Sequence, residues 1–269
     1  MFREAALVGK VFCAVLLALP CAAQAEAVDC LVTPSAQVDL VFAVSGLIAE
    51  ASADRGAPVQ RGQLLARLDS TVESVGLKFA QQRAGAEAAL AAAHARLAAA
   101  TKSLERVQSL ADKGLAPQSD ADAARLERDQ AANELRDRQE AQAAAGLEVE
   151  RSRALLDQRS LYSPIDGVVV DRLAEPGEFV DRQPVYRIAR IDPLHVEVIA
   201  PDTAFGRVTL GQSLPLTLQA PAGAVVQAQV SAVDAFVDAA SGTFRIRLDL
   251  PNPKGEITAG FRCSLDLPN

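Results

Sequence analysis

Rings are scarce in this chain. Phe, Tyr and Trp make up 4% of its 269 residues and Trp is absent, which argues against one large globular core held by aromatic packing. Histidine occurs only as His94 and His195, too far apart to form a metal-binding pair at helical or hairpin spacing. Met1 is the only methionine, so a thioether site for soft cations has no ligands. No Cys-x-x-Cys and no Gly-x-Ser-x-Gly nucleophile motif occurs. A Ser-His-Asp triad is a matter of geometry and is not readable from composition. His94 reads as a helix-surface or seam residue, His195 as a strand residue, and Asp166 beside Gly167 as a turn-former. No catalytic residue, metal site or cofactor is expected.

What is present starts with an export signal. Arg3 and Lys10 precede the apolar run Val11 to Leu19, and Ala23-Gln24-Ala25 supplies a small-x-small cleavage pattern. The run falls short of the roughly 20 apolar residues of a membrane span. Pro20 before Cys21 and Asp29 before Cys30 do not fit a lipoprotein signal, so no lipid anchor is expected and the mature chain should start near Glu26. Losing Arg3, Lys10 and Glu4 from 27 basic and 34 acidic residues leaves a net charge of −8. That sign disfavours nucleic acid, whose binding rests on phosphate neutralisation.

Cys30 and Cys263 remain, near the two ends of the mature chain. An oxidising compartment permits a disulfide between them, contributing on the order of 4–5 kcal/mol by closing a long loop. Two unpaired small apolar residues is the other reading.

An internal repeat organises the rest. Gly46, Gly56 and Val59 match Gly167, Gly177 and Val180 at one offset of 121 residues, and Gly62 follows in the first copy. Each copy reads as strand, turn at the central glycine, strand; Gly46, Gly56, Gly62, Gly167 and Gly177 are the expected structural turns. Neither copy buries a sheet alone, but two packed face to face would.

Between the copies lies Ala-rich sequence with a heptad line. Leu90, Leu97 and Leu104 alternate with Ala86, Ala93 and Ala100, and Val107 continues it. This predicts one helix from Thr71 to about Ala111. Gly114 and Pro117 mark a turn, with Pro117 opening a second helix to about Asp157; its seam runs through Ala124, Ala131, Leu135, Val149 and Leu156. The two form an antiparallel hairpin, with a first arm about 60 Å long at 1.5 Å per residue. A hairpin that long buries only one narrow stripe, which favours lateral packing between copies. Residues 191–269 alternate as strands at 194–199, 225–233, 243–248 and 261–267, the pattern of a small antiparallel barrel. A strand from residues 26–38 joins it and places Cys30 near Cys263.

This order resembles the periplasmic adaptor, or membrane-fusion, family of tripartite efflux and secretion systems. The residues that carry the resemblance are Gly46-Leu-Ile, Gly56-x-x-Val59-x-x-Gly62-Gln-Leu-Leu-Ala-x-Leu-Asp69, and Ser163-Pro164-Ile-Asp166-Gly167. Gly177-x-x-Val180, Ile191-Asp-Pro-Leu194, Gly242-Thr243-Phe244-Arg245, Asn252-Pro253 and Gly260-Phe261 follow in order. The resemblance implies an elongated α+β multi-domain fold: a split lipoyl-like (barrel-sandwich) β-domain interrupted by the helical hairpin, followed by the barrel. The expected boundaries are a signal peptide at 1–25, an N-terminal barrel strand at 26–38 and lipoyl-like halves at 39–69 and 159–190. The hairpin takes 70–158 and the barrel 191–269. The family's membrane-proximal domain is expected to be missing.

The resemblance also implies partners. Such adaptors form homo-oligomers, usually hexamers, between an inner-membrane transporter and a TolC-like outer-membrane channel, here in the periplasm. The barrel resembles the part that docks on the transporter, with resonance-nodulation-division pumps favoured over ATP-driven exporters. The hairpin end resembles the part that meets the channel, through Arg106, Val107, Leu110, Leu115, Pro117 and Asp122. Family members active with efflux pumps carry Ser where this chain has Pro117. Carriers that tether lipoate or biotin share the lipoyl-like fold, but no lysine lies in either half, and the carrier turn falls where the hairpin is inserted. A purely structural coiled-coil spacer is the third reading, and it leaves the split halves unexplained.

Overall fold

The computed structural model describes residues 27–220 and 223–268, so the expected signal peptide lies outside the described residues. In chain order the elements are β1 (Ala27–Leu40), β2 (Gly46–Ala51), β3 (Pro58–Val59), β4 (Leu64–Leu68), α1 (Thr71–Ala84), α2 (Ala88–Asp112) and α3 (Gln118–Asp157). There follow β5 (Ser160–Tyr162), β6 (Gly167–Arg172), β7 (Phe179–Val180), β8 (Tyr186–Pro201), β9 (Ser213–Leu218), β10 (Val225–Val233), β11 (Thr243–Leu250) and β12 (Arg262–Asp266). They divide into two compact units, Pro34–Asp192 and the residues on either side of it. The edges expected at 38/39 and 190/191 fall inside β1 and β8, each of which is continuous and lends residues to both units.

In the first unit the repeat folds by exchange. Gly46 pairs with Val180, and Val59 with Gly167. The Gly56 N–H donates to the Val169 carbonyl and the Gly177 N–H to the Ile48 carbonyl, both at 2.8 Å. In return the Val169 N–H donates to Ala57 at 3.0 Å and the Ile48 N–H to Glu178 at 2.9 Å. These four bonds pair off between the copies, because two-stranded pieces are marginal alone and each copy completes the other's sheet. The shared core takes Ile48, Val59, Leu65 and Leu68 from the first copy and Val169, Val180, Val185 and Ile188 from the second.

Gly46 and Gly167 are not turns. They open β2 and β6, and what they supply is the lack of a side chain. A Cβ on Gly167 would stand 2.1 Å from the Ala189 carbonyl oxygen, and one on Gly46 would stand 2.8 Å from the Arg159 guanidinium. Gly56, Gly62 and Gly177 do sit in turns with left-handed φ of 83°, 82° and 90°.

The helices depart from expectation in the first arm, which is two helices rather than one. Gly85-Ala86-Glu87 interrupts it, so Ala86 is exposed in a break rather than packed in the seam. Glycine is a poor helix interior residue, and the Gln142 side-chain amide of α3 donates to the Ala84 carbonyl that the break leaves without a helical donor. Beyond the break Ala93 and Ala100 of α2 are buried, as are Ala121, Ala124 and Ala131 of α3. The leucines at 90, 97 and 104 are half-buried, since one partner helix covers one side of each. Pro117 precedes the first turn of α3, with φ −63° and ψ 147°, instead of occupying it.

The second unit is a closed barrel. Six strands follow the ring order β1-β12-β9-β10-β11-β8, and β1 pairs with β8 to close it, leaving no free edge. Leu194, Val196, Val198 and Ala200 of β8 and Phe244, Ile246, Leu248 and Leu250 of β11 alternate inward. Glu197 and Arg247, opposite each other, meet at 2.7 Å on the outside. Sequence reading missed β9, where exposed Pro215 interrupts an otherwise clear inward series of Leu214, Leu216 and Leu218. Cys30 and Cys263 are direct neighbours across β1 and β12, with Cα atoms 4.8 Å apart and their sulfurs bonded. Asn252 is a buried polar side chain whose amide bonds both backbone groups of Ile257 at 2.9 and 3.0 Å, which folds the loop before β12 onto the barrel.

Candidate functional site

Two ends of the hairpin carry side chains that the packing leaves available. At the far end α2 stops in a Schellman turn: the Leu115 N–H donates to the Leu110 carbonyl and the Gly114 N–H to the Ala111 carbonyl, both at 2.9 Å. Gly114 takes the left-handed φ of 71° that this turn requires. The consequence is that Leu110 and Leu115 are displayed together, with Leu115 72% exposed. Arg106, four residues before Leu110 and so on the same helix face, is exposed and makes no hydrogen bond or ion pair among the described residues.

The other residues expected there differ in role. Val107 is half-buried on the seam line, so it holds the arms together instead of facing outward. Pro117 is exposed in the connection. Asp122 is engaged by Arg125 at 3.2 Å, and the same guanidinium donates across to Gln108 of α2 at 3.2 Å. These pairs are solvated and worth little each; they set how the arms meet rather than add a binding charge.

At the root, two short links join the hairpin to the sandwich. The Asp69 carboxylate accepts from both the Thr71 N–H and hydroxyl, at 3.0 and 2.7 Å. The hydroxyl bond first and the backbone bond second hold its pKa below the ordinary value. Arg159 donates to Glu73 at 2.6 and 3.0 Å and to the Ser45 carbonyl at 3.2 Å. Beside the root, Val72, Val75 and Phe79 form an exposed apolar stripe on α1, continued by Leu155 of α3. In the barrel, exposed Ile199 and Phe236 line one groove with Phe244, Asp234 and Asp238.

Sequence reading did not single out Tyr186. It is fully buried, and its hydroxyl donates to the Ala53 carbonyl at 3.0 Å, within 3.2 Å of the Leu65 carbonyl. Burial pushes its pKa above the usual phenol value. Its role is to tie the halves of the sandwich together. Among the described residues, no group of three His, Cys, Asp or Glu side chains converges as a metal site, and no helix is long and apolar enough to cross a membrane.

Residues 36–190 match the family model described as a CzcB-like barrel-sandwich hybrid domain, and residues 193–268 the one described as a CusB-like β-barrel domain. The chain belongs to the periplasmic adaptor, or membrane-fusion, family. Among relatives of this adaptor is the UPF0194 membrane protein in the asrC 5′ region of Acidithiobacillus ferridurans, 28% identical across 86% of this chain and 84% of that protein. The nodulation protein NolF of Rhizobium meliloti is 27% identical across 85% of this chain, which spans only 59% of NolF. Among solved structures, MacA from Actinobacillus actinomycetemcomitans superimposes with a TM-score of 0.75 at 20% identity, covering 90% of this chain and 78% of MacA. The membrane fusion protein Spr0693 from Streptococcus pneumoniae R6 superimposes at 0.62 and 16% identity, covering 91% of this chain and 99% of that one. At such identities the likeness is one of fold. Adaptors of this family act with inner-membrane transporters and outer-membrane channels.

Proposed function

We propose that this adaptor works in the periplasm as the bridge of a tripartite export system, its hairpin end meeting an outer-membrane channel and its barrel an inner-membrane transporter. The observation that carries this reading is the hairpin end, where Arg106, Leu110 and Leu115 are exposed together and Arg106 makes no ion pair among the described residues. A structural spacer has no use for an unpaired cation flanked by solvent-facing leucines. The Ile199–Phe236 groove of the barrel supplies a second apolar surface, in the unit whose matching model is of the resonance-nodulation-division barrel type. That match favours such a pump over an ATP-driven exporter. The Val72–Val75–Phe79 stripe suits lateral contact with further copies, in a ring of about six as the family resemblance implies.

Photo-crosslinking in cells tests the reading. A crosslinker replacing Arg106 or Leu115 should capture an outer-membrane channel, and one replacing Phe236 an inner-membrane transporter. A crosslinker replacing Phe79 should give a ladder of copies of this chain. Failure of both hairpin-end positions to capture any outer-membrane protein, with the adaptor expressed and folded, overturns the bridging role.

A further inference from the structure

The root of the hairpin is tied down more tightly than its end. Only two residues, Asp69 and Ser70, separate β4 from α1, and only Gln158 and Arg159 separate α3 from β5. The links are bonded to each other and to the sheet: the Leu68 N–H donates to the Arg159 carbonyl, and the Asp69 N–H to the Leu47 carbonyl, both at 2.8 Å. Backbone alone would make this a short two-ply hinge. One side chain spans it. Arg159 leaves the α3 link, donates twice to Glu73 in the first turn of α1, and reaches the Ser45 carbonyl in the sandwich.

Three features set this pair apart from the other ion pairs. Its side chains are 25% and 17% exposed, whereas both partners of the Arg151–Glu148 pair on α3 are more open to solvent, at 65% and 43%. It joins residues 86 apart in sequence, from both arms, and adds a contact to the sheet domain. And the sandwich makes room for it, since any Cβ at position 46 would press on the guanidinium at 2.8 Å. A half-buried, multiply bonded guanidinium is held in one geometry more strongly than a solvated pair.

We propose that Arg159 is the pin of a hinge, holding the hairpin at one angle to the sandwich, and that displacing it frees the hairpin to swing. The lever is long: α3 extends about 60 Å at 1.5 Å per residue, so a swing of about 10° carries the hairpin end about 10 Å. In the bridging role this would let the hairpin end follow a moving partner. The hinge itself does not depend on that role, and the test below uses the isolated chain.

The experiment is a spin-label distance measurement between a nitroxide at Asp181→Cys in the sandwich and one at Lys102→Cys in α2, both exposed positions. With Arg159 in place the distance distribution should be narrow. Arg159→Ala should at least double its width, and Arg159→Lys, which keeps the charge but loses the fork, should fall between. Gly46→Ala removes no donor or acceptor yet pushes on the guanidinium, so it should broaden the distribution as well. Arg151→Ala, which breaks the exposed pair, should leave the width unchanged. If Arg159→Ala unfolds the protein, Gly46→Ala and Glu73→Gln carry the test. A width that stays constant across the folded variants, even with a lowered melting temperature, reduces the pair to a stabilising contact and overturns the hinge.

Discussion

Replacing Tyr186 with Phe removes one oxygen from the centre of the sandwich, and the structure sets what that should cost. The hydroxyl is the donor to the Ala53 carbonyl at 3.0 Å and the acceptor for the Ala53 N–H at 3.4 Å. The Leu65 carbonyl, 3.2 Å away, also accepts the Ser52 N–H at 2.8 Å, so it keeps a partner without the tyrosine. The loss therefore falls on the Ala53 peptide groups, stranded in a site that phenylalanine fills but does not satisfy. An unsatisfied buried polar group costs about 1–3 kcal/mol. Urea unfolding at pH 7 should show a lower midpoint with an unchanged slope.

The same tyrosine supplies a second, independent readout. Burial raises its folded-state pKa above the unfolded value near 10. A raised pKa means that the stabilisation is fully present below pH 10 and fades as pH climbs from 10 through the folded-state value. The gap between wild type and Tyr186→Phe should thus be constant from pH 7 to 9 and shrink above 10. A gap under about 0.5 kcal/mol at pH 7, below the range for a stranded buried group, would refute the reasoning. A gap that does not narrow at alkaline pH would refute it equally.

Reducing the Cys30–Cys263 bond, or replacing both residues by Ser, should lower barrel stability by about 2–5 kcal/mol, read as a fall in the urea midpoint that reductant produces in wild type and does not deepen in the double variant. Gly167→Ala should destabilise the sandwich far more than Gly56→Ala. The first drives a methyl to 2.1 Å from the Ala189 oxygen, while the second meets open space and strains only φ, for about 1–2 kcal/mol. Equal effects in paired urea titrations would contradict the close backbone approach at β6.

The repeat was legible because a constant spacing of Gly and Val survives only where two copies must build one object. The hairpin was legible from its Leu and Ala heptads, and its far turn from Gly114 and Pro117, since turn chemistry acts through neighbours in sequence. The break at Gly85 was not, because heptad spacing carried across it and the decisive partner, Gln142, lies 58 residues away. β9 was hidden by Pro215 for the opposite reason: a local penalty concealed a strand that its long-range neighbours β10 and β12 accommodate.

By itself, then, the sequence determined most of the elements and their order: two glycine-punctuated strand pairs around an Ala-rich hairpin, then alternating strands. Local propensity and periodicity are properties of the chain. Only the tertiary structure decided that Gly46 and Gly167 are needed for clearance instead of for turning, and that Tyr186 and Arg159 hold their surroundings together. Each of those roles depends on an atom contributed by a distant segment, and a distance in space leaves no period in the sequence.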